Sequence, residues 1–331
     1  MSDQPERSTP RRGKKGKRRI RYRLPSEPTT GLAFANLGCS ALGPGASPPG
    51  GSIQFTDKGA QKLTNVHVVL IFWGREWANS QLATLVTNAI QNLLAGPYMS
   101  YLTQYGVRRG SIWGTKFITN GDPPNPFAYP NIGNFVISQL DADNLPEPDS
   151  DWPLVYAVFL PSNVAFQGDP RVETVPLPPG AVSTVVGANS SIIWNDYDLG
   201  DVDNDPAHYL WVGNGGNAPS QANVDYITTV FSHELAEICT DPNGGNGIVR
   251  VGGSSAASQI GDPCGSWCDY VRGVKAQAYW VHNLGDPLNG ACVLPKFYSV
   301  RRSLAGRNIG GHLGSIQTPI PSLNALITSL F

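Results

Sequence analysis

Residues 232–237 read SHELAE, inside the longer run NVDYITTVFSHELAEICTDPNGGNG that begins at Asn223. His233 and Glu237 are four apart, so on a helix their side chains project side by side from one face. A ring nitrogen and a carboxylate oxygen at that spacing can grip one Zn²⁺, which takes both ligand types at about 2.0–2.2 Å. Glu234 follows the His directly, the place from which a general base takes a proton from water in zinc proteases. HELAE thus reads as an HExxH motif whose second His has become Glu. Alone, the five residues fit an ordinary solvated i, i+4 pair on a surface helix better than a metal site. Two features favour a site: the neighbours in the run are apolar, and the run stops abruptly at TDPNGG.

Such a centre needs a third protein ligand from downstream. The candidates are Asp262 in QIGDPC, His282 in YWVHN and Asp241. Asp241 precedes Pro242, which suits a helix-terminating turn better than ligation. His282 lies in a strand-like run beside Trp280, where a His is more often a packing residue. Asp262 sits in a Gly-Asp-Pro-Cys loop that can hold a carboxylate rigidly, and it is the preferred third ligand. His67 and His208 are isolated in strand-like runs and read as structural. Asp196, Asp198, Asp201, Asp203 and Asp205 cluster without the closing Glu of an EF-hand, leaving a loose calcium site as the alternative to a solvated acidic loop. No GxSxG elbow or phosphate-loop lysine accompanies any of these groups, which argues against a serine hydrolase and a nucleotide-binding protein.

The elements that must position these side chains are legible upstream. NVHVVLIFWG (65–74) is β-branched, aromatic and ended by Gly74, a buried-strand signature. From Asn79 to Leu94 the apolar residues Leu82, Leu85, Val86, Ala89, Ile90 and Leu93 recur at helical spacing, and Gly96-Pro97 stops the run. A short helix follows near residues 99–105, then a strand at 111–118, a helix from Asn131 to Leu140, a strong strand at 152–161 and another at 207–213. Residues 162–205 read as loop. The site helix spans about Asn223 to Thr240, and short strands follow in VRGVKAQAYWV and ACVLP. Strands alternating with helices predict a single α/β domain with a mixed, mostly parallel sheet and a loop-rich C-terminal part.

Composition supports a loop-rich globular body: 37 Gly and 28 Pro in 331 residues exclude a coiled coil or long helical array. The formal charge of -1 hides an asymmetry, because residues 1–23 carry +8 and the rest of the chain -9. We read residues 1–52 as a disordered basic tail and Gly/Pro-rich linker, 53–298 as the domain and 299–331 as a C-terminal extension. The tail could contact anionic partners such as nucleic acid or acidic lipid. No apolar run is long enough for a transmembrane segment, and the basic stretch does not lead into an ordinary signal peptide. Five cysteines include a single close pair, Cys264 and Cys268, either of which could bond Cys292 and so imply an oxidising compartment.

Residues 65–105, with YLWVGN at 209–214 and TDPNGGNG at 240–247, resemble the phosphate-induced, EXORDIUM-like proteins. The resemblance extends to bacterial relatives with SHELAE, TDP, IGDxC and a final YW…ACV, over about residues 60–295. Gln259 stands where such relatives often carry Glu, which removes one candidate ligand and strengthens Asp262. The resemblance implies a zincin-like fold, a Zn²⁺ cofactor on His233, Glu237 and Asp262, Glu234 as the catalytic group, and an extracellular setting. A Met-turn is excluded, since no Met follows Met99. Two expectations result: a peptidase-like metallohydrolase acting on a peptide or other small polar substrate, or a non-catalytic binding or cell-surface protein with a structural metal or none.

Overall fold

The computed structural model describes residues 53–149, 152–162, 164–167, 185–198, 201–252, 259–265, 267–283 and 286–295. The basic tail and the C-terminal extension lie outside this set.

Four strands form the parallel part of the central sheet: β2 (Val66–Trp73), β3 (Gly110–Ile118), β4 (Leu154–Ser162) and β6 (Asp201–Asn214). The strand β5 (Gly187–Asp198) pairs antiparallel with β6 and closes one edge, giving the order β3-β2-β4-β6-β5. β2 and β4 are long apolar runs because both of their faces are covered, whereas the edge strand β3 is half-buried to exposed along its length. Val68, Leu70 and Phe72 of β2 join the core beneath α1 (Gln81–Ala95) and α3 (Gln221–Thr240). The alternate residues Val69, Ile71 and Trp73 join a second core under α2 (Tyr129–Asp141) on the opposite face. Ser80 caps α1, its Oγ accepting the Ala83 N–H at 3.3 Å.

The C-terminal part folds back over α3. A short strand β1 (Phe55–Asp57) pairs with β7 (Ile248–Arg250) just beyond that helix. Two hairpins follow, β8 (Cys268–Val271) with β9 (Val274–Gln277), and β10 (Tyr279–Asn283) with β11 (Asp286–Val293). The sheet covers one side of α3 and β9 the other, so the helix is buried all round from Tyr226 to Thr240 except at Thr229. Polar residues on its second face are enclosed, and each needs a partner.

The larger correction concerns residues 162–205. They contain β5 and the start of β6, an antiparallel hairpin whose far end is the acidic stretch NDYDLGDVDNDP. Composition misled because Asp and Asn are depleted in strands, whereas here a 12-residue edge strand runs out beyond the body of the sheet. The side chains of residues 195–204, where the loose calcium site was weighed, are outside the described set. Among the described residues no helix is long and apolar enough to cross a membrane. Cys264, not Cys268, pairs with Cys292, with Cα atoms 5.6 Å apart.

Candidate metal centre

Ser220 starts α3 by accepting the Asn223 N–H on its Oγ, and the helix carries His233, Glu234 and Glu237 through its buried second half. It ends at Asp241, whose carboxylate accepts the backbone N–H groups of Gly245 (2.6 Å), Asn246 (3.2 Å) and Gly247 (2.7 Å). Those bonds occupy Asp241 with the turn after the helix. Asp262 arrives on a short 3-10 turn, Asp262–Cys264. That turn is anchored by the Cys264–Cys292 disulfide and by the Trp280 N–H donating to Ile260 O at 2.8 Å.

The fold brings His233, Glu237 and Asp262 together, with one potential ligand atom from each inside a 4.8 Å group. His233 Nε2 lies 3.1 Å from Glu237 Oε1 and 4.0 Å from Asp262 Oδ1. Tetrahedral bonds of about 2.0–2.2 Å would set such atoms about 3.3–3.6 Å apart, so the observed pair brackets that spacing. His282 stands apart: its N–H donates to Gln104 Oε1 at 2.9 Å and its ring meets Tyr105 edge-on.

Three atoms of α3 are buried without a hydrogen-bond partner: His233 Nε2 and Glu237 Oε1 at this point, and Glu234 Oε1 beside Gly187. The 3.1 Å approach of His233 to Glu237 does not have hydrogen-bond geometry. Unpartnered buried polar atoms are costly, and two of them facing each other at 3.1 Å call for a group that satisfies them together. Burial lowers the His233 pKa to about 4 and raises Asp262 to about 7. It also pushes Glu234 and Glu237 well above the usual carboxylate range, with the charge of Asp262 adding to both. Carboxylates packed this closely cannot all ionise without a cation; a divalent ion would reverse the upward carboxyl shifts and keep His233 neutral, as burial already does. The donor set, one imidazole and two carboxylates, fits zinc or a neighbouring divalent transition metal.

Polar partners surround the cluster. Asn189 of β5 donates from Nδ2 to Glu234 Oε2 and to Glu237 Oε2, both at 3.0 Å. Gln259 donates its backbone N–H to Asp262 Oδ2 at 3.0 Å, and its side chain reaches Asn189 Oδ1 (3.4 Å) and Asp241 O (3.3 Å). The amide of Gln277 lies 2.5 Å from His233 Nδ1 and also donates to Gly261 O at 3.2 Å. With the NH₂ of Gln277 against Nδ1, a neutral ring carries its proton on Nε2. With the amide oxygen there, Nδ1–H donates and Nε2 is bare to ligate.

Two glycines permit the close packing. A Cβ on Gly187 would meet Val230 Cγ1 at 2.5 Å and Glu234 Oε1 at 2.7 Å. One on Gly261 would meet Glu237 Oε1 and His233 Nδ1 at 2.8 Å each. Asn189, Gln259, Gln277 and the two glycines were invisible as site residues in the sequence. Asn189 sat in an assumed loop, and Gln259 was noted only for not being Glu. The signal that could have exposed Asn189 is the hairpin itself, ANSSIIW and HYLWV on either side of an Asp/Gly-rich turn.

The fold and the cluster together define a mixed α/β protein with a buried His-Glu-Asp set between a sheet-edge strand and a cross-linked loop. Compared with known protein families, curated proteins and solved structures, the chain matches none.

Proposed function

We propose that the protein is a zincin-like, zinc-dependent hydrolase in which His233, Glu237 and Asp262 hold the ion and Glu234 is the general base. The observation that carries this reading is the meeting of two unpartnered buried atoms, His233 Nε2 and Glu237 Oε1, 3.1 Å apart and with Asp262 Oδ1 4.0 Å from the first. Bound zinc would supply Lewis acidity, polarising a carbonyl and making water nucleophilic near neutral pH. Glu234 has one oxygen held by Asn189 and the other unpartnered. The free oxygen takes a proton from the attacking water and delivers it to the leaving group. His233 and Glu237, one helical turn apart, and Asp262, on the cross-linked loop, hold the geometry. A peptide bond is the substrate by analogy with proteins that share the HExx arrangement. The EXORDIUM-like resemblance favours an exported protein, and the Cys264–Cys292 disulfide supports an oxidising compartment.

A second reading has its own observation. Glu234 and Glu237 are 0% exposed, and closed sites are the mark of structural metals. Here the ion would staple α3 to the Asp262 loop, and the protein would be a non-catalytic binding or cell-surface factor.

Metal analysis of protein purified without added zinc decides whether there is a centre. About one equivalent in the native protein and little in His233→Ala is expected; less than about 0.1 equivalent of any transition metal in both would end the proposal. Hydrolysis of a broad peptide library separates the two readings. Loss of activity in Glu234→Gln with metal retained supports the hydrolase, and no activity in the fully loaded native protein supports the staple.

A further inference from the structure

Asn189 is a buried amide, 2% exposed, on a strand whose alternate residues face α3. Gly187 faces Val230 and Glu234, Asn189 faces Glu234 and Glu237, and Ser191 donates to Pro242 O just past the helix end. The strand's period of two thus lays residues 187, 189 and 191 along successive levels of the helix. Its position is pinned from both sides. Asn189 pairs with Leu210 in the β5–β6 ladder, and the Tyr129 hydroxyl of α2 donates to Asn189 O at 3.1 Å.

We propose that Asn189 is a positioning residue that sorts the four oxygens of Glu234 and Glu237, binding one oxygen of each, so that the second oxygen of Glu237 is left for the metal and the second oxygen of Glu234 stays unpartnered. This rests on the metal reading above. An amide NH₂ has two hydrogens, and its two shortest contacts are the two Oε2 atoms at 3.0 Å. The atoms left unpartnered are the corresponding Oε1 oxygens, and that of Glu237 is the one 3.1 Å from His233 Nε2. Ionised carboxylates only accept hydrogen bonds, so with a cation held the NH₂ is the end of the amide that fits between them. One side chain therefore aligns a ligand with the neighbouring base and ties both to the sheet edge, the task that partners of metal ligands perform generally. Gly187 serves the same arrangement, because a side chain there would push β5 away from α3.

The experiment is Co²⁺ titration of the full-length native chain, Asn189→Leu and Asn189→Ala, read by visible absorption and by competition with a chelator. Thermal midpoints of the metal-free proteins are measured in parallel. Leu matches the shape of Asn without its donors, and Ala carries the test if Leu does not fold. The expected result is a 10–100-fold weaker Co²⁺ affinity, the range for losing such a partner, with shifted absorption bands and folded metal-free variants. Native protein binding one equivalent, with both folded variants within twofold of it and identical bands, would overturn the role of Asn189 while leaving the metal centre standing. Native protein that binds no Co²⁺ would overturn the centre, and the role of Asn189 with it.

Discussion

His208 and His233 are both buried, and burial alone lowers the pKa of each to about 4, yet the fold treats them in opposite ways. His208 Nδ1 is 2.6 Å from Ser191 Oγ, and that hydroxyl donates its hydrogen to Pro242 O. The serine has one hydrogen, so the histidine must be the donor, and its tautomer is fixed as Nδ1–H. The cluster is neutral, with no carboxylate in the chain of bonds. His233 has Gln277 on Nδ1, an unpartnered Nε2, and the carboxylates of Glu237 and Asp262 within 4.0 Å of it. One histidine closes a hydrogen-bond chain, and the other presents an unpartnered Nε2 to two carboxyl groups. Burial and a depressed pKa do not distinguish them; the unpartnered atoms and the neighbouring charges do.

The contrast breaks if the two histidines respond alike. His233→Ala should weaken Co²⁺ or Zn²⁺ binding by more than about a hundredfold, beyond the 10–100-fold typical of outer partners, because it removes a ligand itself. His208→Leu should leave that affinity within a few-fold of native. Equal losses from both, read by chelator competition, would mean that the metal is not held where the orphaned atoms converge.

The next effect is one of pH, and it belongs to His208. Its folded pKa of about 4 lies below the unfolded value of about 6.5. Between those values the unfolded chain takes up a proton that the folded chain refuses, so unfolding is favoured as pH falls. The contribution is full above about pH 6.5 and is lost progressively toward pH 4, by about 3 kcal/mol in all. Urea unfolding of the native protein and His208→Leu at pH 7.5, 5.5 and 4.5 isolates it, since other titrating groups cancel in the difference. A constant difference across the three values would show that His208 is not held neutral in the fold.

Gly187→Ala should come next, at about 1–3 kcal/mol of destabilisation, the usual cost of inserting a methyl into a filled space. The new Cβ would sit 2.5 Å from Val230 Cγ1 and 2.7 Å from Glu234 Oε1. Because it presses on Glu234, which shares the Asn189 amide with Glu237, metal affinity should fall with stability, which a substitution beside His208 would not cause. A denaturation midpoint equal to native would show that β5 can yield without cost.

The sequence carried the strands and helices that obey a clean period. β2, α1 and β4 fall within two residues of their expected ends, because apolar runs and Gly, Ser or Pro boundaries mark them. The proximity of His233, Glu237 and Asp262 is legible because helix spacing places the first two together and a rigid Gly-Asp-Pro loop nominates the third. What stayed hidden was the other wall of the site. Asn189 is brought to Glu234 by an antiparallel pairing with β6, a long-range contact that leaves no local period in an Asn- and Asp-rich strand. Gln277 is invisible for a similar reason: the covering of α3 by β9 turns an ordinary strand glutamine into the partner of His233.

The smallest expected effect concerns His282, the strongest ligand type among the rejected alternatives. Its ring packs edge-on against Tyr105 at 5.9 Å between centroids, and its backbone N–H is taken by Gln104 Oε1. Neither contact faces the cluster, and the residue lies on β10, past the loop that delivers Asp262. His282→Phe preserves an aromatic edge against Tyr105 and removes the ring nitrogens. It should shift metal affinity by less than about twofold and stability by less than about 1 kcal/mol, as expected for a volume-tolerant aromatic exchange away from the filled core. Asp262→Ala, made alongside, should cost metal affinity at least tenfold. If the two results were reversed, the third ligand would be the histidine, and the centre would lie between α3 and β10 rather than between α3 and the disulfide-anchored loop.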